Sequence, residues 1–193
     1  MHGGTVGGVM PSNLFGLPIH ILVIHAVVVL LPLAAVTALA IDASGWVRER
    51  VGLAAVVGTF VVALLVPVAT QTGEDLRGRL PNAPQIARHA SLGQTLLIWT
   101  AVFGLALALV VALDVYRRAA AGGTLRGVEA RLFGAIRAPG ADRPAGGSFA
   151  AAFLAARVIL AVTAVGVIVY VVLAGDSGAR AVWDHYPHLA GAP

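Results

Sequence analysis

The 193-residue chain contains no cysteine and no lysine, and only 11% of its residues are charged. The absence of cysteine excludes disulfide bonds, thiolate metal sites, iron–sulfur ligation by this chain and cysteine nucleophiles. The low charge, with 59% apolar residues and a mean hydropathy of +0.89, excludes a soluble monomer, because such a chain lacks the polar surface to cover a globule. Intrinsic disorder is excluded as well, since it requires low hydrophobicity.

Several motifs that carry chemistry are also missing. There is no Gly-x-Ser-x-Gly elbow, no His-Glu-x-x-His helix and no phosphate-cradling Gly-Lys-Ser loop. No carboxylate lies in the middle of an apolar run, which argues against a proton pump or an ion-coupled transporter built on buried carboxylates. These absences favour an electron carrier or an anchor over an enzyme with substrate chemistry of its own.

Four continuous apolar runs have the roughly 20 residues that a helix needs to cross about 30 Å of hydrocarbon. They cover residues 19–41, 51–70, 91–113 and 153–173. Because apolar residues are continuous in these runs and do not alternate with polar ones, the runs predict helices and not the strands of a β-barrel. We therefore predict an all-α fold, a single membrane domain over residues 1–193. It is a four-helix transmembrane bundle with a long cytoplasmic loop over residues 114–152, which holds either a short basic surface helix or a plain linker.

The arginines, which are all 13 of the basic residues, predict the orientation of the chain. Nine of them belong to the first loop, the long loop and the start of the fourth span, and four belong to the opposite side. Because cytoplasmic segments carry the excess of positive charge, both termini are expected outside. The same distribution between apolar runs indicates membrane orientation and no binding of nucleic acid.

This topology assigns every histidine to the outer half of the membrane, on three different segments. Ionisable groups within membrane helices are costly and often functional, so the clustering indicates a site. The residues are His2, His20, His25, His89, His185 and His188.

The leading interpretation of the histidines is a haem b clamped between two helices. We expect His89 on the third span to be one axial ligand, with His25 on the first span preferred over His20 as the other. Gly93, one turn after His89, would let a flat ring approach the backbone. Arg88 would meet a propionate at the interface. Histidine is a standard axial ligand of haem iron.

Other interpretations of the same residues stay open. A transition metal could bind His20, His89 and His185 together with Asp75 or Glu74, which are suitable ligand types for zinc or copper. The histidines could equally be interfacial or hydrogen-bonded residues, and the two acids could be partners of loop arginines.

Three stretches resemble a bacterial family of predicted four-helix membrane proteins of unknown function. They are residues 14–25, with Leu-Pro followed by two histidines five residues apart, the Ala-Thr-Gln-Thr-Gly-Glu-Asp stretch of residues 69–75, and Arg-His-Ala at residues 88–90. Ile21 stands where the family usually has proline after the first histidine, and Ala26-Val27 replaces an aromatic–proline pair.

The resemblance implies a multi-pass protein of the bacterial inner membrane. Because members of the family occur joined to Rieske-type iron–sulfur domains, it also implies a redox setting, and the arrangement is similar to that of four-helix b-type cytochromes. We expect a membrane electron-transfer subunit that contacts the lipid bilayer and a redox partner. The alternative is a non-catalytic anchor or assembly subunit of a homo- or hetero-oligomer, or an outer-face metal-binding protein.

Overall fold

The computed structural model describes residues 13–14, 17–78, 84–122, 128–133 and 147–183, and in them the chain is almost entirely helical. Four long helices are each apolar enough to cross a membrane, which confirms the all-α transmembrane bundle. A two-residue antiparallel pair, β1 with β2, precedes them and was not expected from the sequence. The elements are β1 (Asn13–Leu14), β2 (Leu17–Pro18), α1 (Ile19–Ala43), α2 (Gly45–Arg77), α3 (Pro84–Ala120), α4 (Val128–Phe133) and α5 (Gly147–Trp183).

The four long helices form a closed ring around one core. Helix α1 packs against α2 and α5, and α3 packs against the same two helices. Helices α1 and α3 are therefore diagonal partners, and residues at their N-terminal ends approach the bundle axis from opposite sides.

Short connections hold the helix ends. Ser44 alone separates α1 from α2, and its extended backbone (φ −131°, ψ 116°) makes it an N-cap whose hydroxyl accepts the Val47 N–H at 3.4 Å. Helix α3 is followed by Gly122 with a φ of 71°, a left-handed conformation that glycine adopts at low cost. The first connection makes α1 and α2 an antiparallel hairpin.

Two helices extend into the segment expected to be a loop over residues 114–152. Helix α3 continues to Ala120 and α5 begins at Gly147. The short helix α4 lies between them, while residues 125 and 136 of the expected surface helix lie outside the described residues. The extension has a physical reason, because polar interactions near the membrane surface hold α3 together beyond its apolar run.

Asp114 is the centre of those interactions. Its side chain is only 3% exposed and lies 3.2 Å from Arg48 Nε, 2.8 Å from Arg117 Nη2 and 2.9 Å from Arg118 Nε. Arg118 also contacts Glu129 of α4 at 2.9 Å. Buried charges are tolerated when they are paired in this way. At this end of the bundle Asp114 therefore joins α2 to α3, and Arg118 joins α3 to α4.

Large apolar side chains occupy both the core and the outer surface. Leu31, Phe103 and Leu160 are fully buried, whereas Leu105 is 72% and Phe60 65% exposed. In water such an outer surface would be unfavourable, but lipid solvates it as well as the core does. The exposed apolar surface therefore agrees with contact with the bilayer.

Candidate functional site

The second residue of α1, His20, is fixed by helix α2. Its Nδ1 lies 3.0 Å from the carbonyl oxygen of Ala69 and 3.4 Å from the hydroxyl of Thr72. A carbonyl can only accept, so Nδ1 carries the ring proton and donates it. The Thr72 hydroxyl donates to the Val68 and Ala69 carbonyls at 2.8 and 3.2 Å, which leaves its oxygen as an acceptor toward the ring.

His89 of α3 is fixed in the same way by helix α5. Its Nδ1 lies 3.0 Å from the Ala174 carbonyl oxygen and 3.2 Å from the Ser177 hydroxyl. The Ser177 hydroxyl donates to the same Ala174 carbonyl at 2.9 Å. His89 therefore also carries its proton on Nδ1.

Each imidazole lies against a glycine. A Cβ on Gly73 would come within 3.0 Å of His20 Cε1, and a Cβ on Gly178 would come within 3.1 Å of His89 Cε1. Both distances are shorter than an ordinary contact between carbon atoms, which is about 3.5–4.0 Å. The missing side chains let each ring reach the backbone carbonyl of the neighbouring helix.

The two halves of the site are copies of one arrangement. Ala69-Thr70-Gln71-Thr72-Gly73 on α2 matches Ala174-Gly175-Asp176-Ser177-Gly178 on α5, with the carbonyl, hydroxyl and glycine at identical spacing. The first helix of each hairpin supplies the histidine, and the second supplies Ala-x-x-Ser/Thr-Gly.

The positions of the buried residues along α1 and α3 also repeat. When α1 is aligned on α3 by the two histidines, four core positions of α1 coincide with four of α3, namely Val27, Leu31, Ala38 and Ile41 with Leu96, Thr100, Leu107 and Val110. The chain is thus built as two similar helical hairpins, a relation that sequence reasoning missed. The repeated Ala-x-x-Ser/Thr-Gly is the signal that could have revealed it.

The two histidines meet across the bundle axis. Their ring centroids are 6.4 Å apart and their planes are inclined by 83°. In a neutral imidazole whose Nδ1 carries the proton, Nε2 is an unprotonated nitrogen with a lone pair that can bind a metal. Two neutral imidazoles held at this separation can ligate one metal or exchange protons with a shared polar group.

His25, the preferred partner of His89 in the sequence interpretation, lies elsewhere. It is exposed on the outside of the bundle, and its Nδ1 is 2.6 Å from the carbonyl oxygen of Ile21 in its own helix. Five residues of α-helix turn a side chain by about 140°, so His20 and His25 cannot both face the axis. The structure places His20 against His89, and His25 faces the lipid.

The remaining expected ligands do not join the pair. A Cβ on Gly93 would meet nothing within 4 Å, so no other helix packs closely against this glycine. Arg88 and Asp75 are exposed, and Glu74 pairs with Arg77 at 3.3 Å. The other three histidines, His2, His185 and His188, lie outside the described residues.

No group of three or more potential metal ligands occurs within the described ranges. The four-ligand set of His20, His89, His185 and Asp75 therefore reduces there to the histidine pair.

A family model described as "Predicted membrane protein (DUF2231)" matches residues 16–191, which is most of the chain. The chain belongs to this family. The match covers both hairpins, and it confirms the resemblance to an uncharacterised family of membrane proteins. Comparison with curated proteins and with solved structures gave no match.

Proposed function

We propose that the protein is a membrane electron-transfer subunit that holds a redox-active iron, as haem b, between His20 and His89. The observation that carries the proposal is the pair of imidazoles that face each other across the axis with both Nδ1 atoms engaged. Histidine ligands of metals almost always donate their second ring N–H to a carbonyl or carboxylate, which orients the ring. Both histidines have that arrangement, with the Ala69 and Ala174 carbonyls as partners.

The separation of the rings supports ligation of one metal by both. With metal–nitrogen bonds of about 2.0–2.1 Å, two imidazoles that share one metal would have centroids separated by up to about 6 Å. The observed 6.4 Å is close to this spacing. Arg88, exposed and one residue before His89, would meet a propionate carboxylate at the membrane surface. When bound, haem b supplies reversible one-electron chemistry at iron.

The chain's own part would be to hold the ligands and to exclude water. The Ala69 and Ala174 carbonyls orient the two imidazoles, and their hydrogen bonds make the ring nitrogens more basic toward a metal. The core of the bundle next to the two histidines is apolar. An apolar environment would favour the oxidation state of a bound iron centre that carries the smaller net charge. The redox partner would be a Rieske-type protein, as the resemblance implies.

The site would lie at the outer face of the bacterial plasma membrane. The histidines are at the start of α1 and α3, whereas Arg48 of α2, Arg117 and Arg118 of α3 and Arg157 of α5 are at the opposite end of the bundle. Since cytoplasmic segments carry the arginine excess, both termini would be outside. A protease or cysteine-labelling assay on intact cells, with a cysteine introduced near either terminus, tests this orientation.

The experiment for the cofactor is an absorption spectrum of the full-length protein purified in detergent after haem-replete expression. We expect a Soret band that is lost in His20→Ala and in His89→Ala. His25→Ala is the matched control, because this histidine lies on the same helix but faces outward, and its band should be unchanged.

Two results would overturn the haem assignment. One is the absence of a Soret band in the wild-type protein, and the other is a band that survives in the His20→Ala, His89→Ala double variant. Elemental analysis of the same samples decides between the alternatives. About one zinc, copper or iron per chain without a Soret band indicates a bare metal site, and no metal together with co-purifying proteins indicates an anchor or assembly subunit.

A further inference from the structure

A second unusual group of side chains lies at the end of the bundle opposite the histidines. The ring of Phe153 on α5 is surrounded by three guanidinium groups, whose Cζ atoms lie 5.4 Å (Arg48), 5.2 Å (Arg117) and 6.0 Å (Arg157) from its centroid. Guanidinium groups at these distances are attracted to the face of an aromatic ring. Arginine side chains from α2, α3 and α5 therefore lie around this one ring.

The acids in this region are buried, while two of the arginines reach the surface. Asp114 and Asp42 are 3% and 17% exposed, and Arg117 and Arg157 are 49% and 35% exposed. Among the residues described, the ion-pair network contains four arginines against three carboxylates, namely Arg48, Arg117, Arg118 and Arg157 against Asp42, Asp114 and Glu129. The two most exposed members of this network are both arginines, Arg117 and Arg157.

Both exposed arginines use only some of their N–H donors in contacts with the acids. Arg117 donates one N–H, from Nη2, to Asp114 at 2.8 Å. Arg157 donates from Nε to the Asp42 carboxylate and from Nη2 to its backbone carbonyl, both at 2.8 Å. A guanidinium has five N–H donors, so each arginine is oriented by an acid while further donors remain on its exposed side.

Aromatic rings place this group at the level of the membrane surface. Tyr116 packs against Phe149 at 5.8 Å between centroids, and Phe149 stacks on Phe153 at 6.5 Å. Aromatic residues at helix ends mark the boundary between hydrocarbon and headgroups. The exposed parts of Arg117 and Arg157 are therefore expected at the level of the lipid phosphates.

We propose that Arg117 and Arg157 together bind the phosphodiester of an anionic phospholipid in this leaflet. Arginine suits phosphate because its planar fork of donors can contact two oxygens at once. Basic sites between transmembrane helices are a recurrent way to hold anionic headgroups at the cytoplasmic surface. The site is separate from the histidine pair, and it does not depend on the proposed redox function.

The test uses the full-length protein in detergent, titrated with phosphatidylglycerol or with phosphatidylcholine, and binding is measured by native mass spectrometry. We expect phosphatidylglycerol to bind more tightly, and Arg117→Gln and Arg157→Gln each to weaken it about five-fold, the effect of one arginine near an anionic surface. Arg77→Gln is the matched control, because Arg77 is an exposed, paired arginine at the histidine end. Its affinity should equal that of the wild type.

Equal binding of the two lipids would overturn the proposal, as would variants that bind like the Arg77→Gln control. Inorganic phosphate is added as a competitor, and displacement of the lipid at comparable concentrations would assign the site to a soluble anion instead. Arg117→Gln leaves Asp114 in contact with Arg48 and Arg118, so this variant is expected to fold. Circular dichroism checks folding, and if Arg157→Gln unfolds, Arg117→Gln alone decides.

Discussion

Replacement of Gly166 by alanine should destabilise the bundle, although alanine is the better helix former. Gly166 on α5 lies against the indole of Trp99 on α3, and a Cβ there would be 2.3 Å from Cζ3 and 2.4 Å from Cε3. Ordinary carbon contacts are about 3.5–4.0 Å, so the overlap exceeds 1 Å and either the ring or the helix must move. Overpacking of this kind costs about 1–3 kcal/mol.

A second loss follows if the indole is displaced. Trp99 stacks on Tyr170 with centroids 5.6 Å apart and planes inclined by 29°. Such pairs contribute about 0.5–1.5 kcal/mol beyond the area they bury. Relative to a glycine-to-alanine change that meets no atoms, the two effects together lower the free energy of unfolding by about 1.5–4.5 kcal/mol, which corresponds to a melting temperature lower by roughly 3–18 °C for a chain of this size.

The assay is thermal unfolding in detergent, followed by circular dichroism, with Gly175→Ala as the control. Gly175 is on the same helix, but a Cβ there would meet nothing within 4 Å, so this variant should be neutral or up to about 1 kcal/mol more stable. In a Trp99→Leu background the cost of Gly166→Ala should largely disappear, because the atoms that clash have been removed. A Gly166→Ala protein as stable as Gly175→Ala would refute the packing of α3 against α5 described here.

Two further predictions concern the ends of the bundle. Asp114→Asn should lower the free energy of unfolding by about 3–5 kcal/mol, since it leaves the buried Arg48 without its counter-ion. Chemical or thermal unfolding measures this loss. A loss below about 1 kcal/mol would mean that water solvates the Arg48–Asp114 pair. Gly178→Ala should displace the His89 imidazole by a few tenths of an ångström and weaken any metal or haem binding about ten-fold, while Gly175→Ala should not. Equal metal or haem binding by the two glycine variants would contradict the close approach of the ring to α5.

Apolar runs alone were sufficient to predict the four helices. Their boundaries were less predictable, because α3 and α5 extend beyond their apolar parts through interactions between residues far apart in the chain. Asp114 illustrates this, since its position at the end of an apolar run suggested a loop, and only its contact with Arg48 of α2 explains why it is buried in a helix. The sequence does not encode such a contact locally.

The sequence by itself determined that the chain crosses a membrane four times and that histidines begin α1 and α3, because hydrophobic length and residue order are local properties. Only the tertiary structure decided that His20, and not His25, faces His89. In water the buried face of a helix shows itself as an apolar stripe. In a bilayer the lipid-facing side is as apolar as the core, so the rotation of α1 leaves no mark on its sequence. The repeated contacts of both rings with Ala-x-x-Ser/Thr-Gly on the neighbouring helices set that rotation.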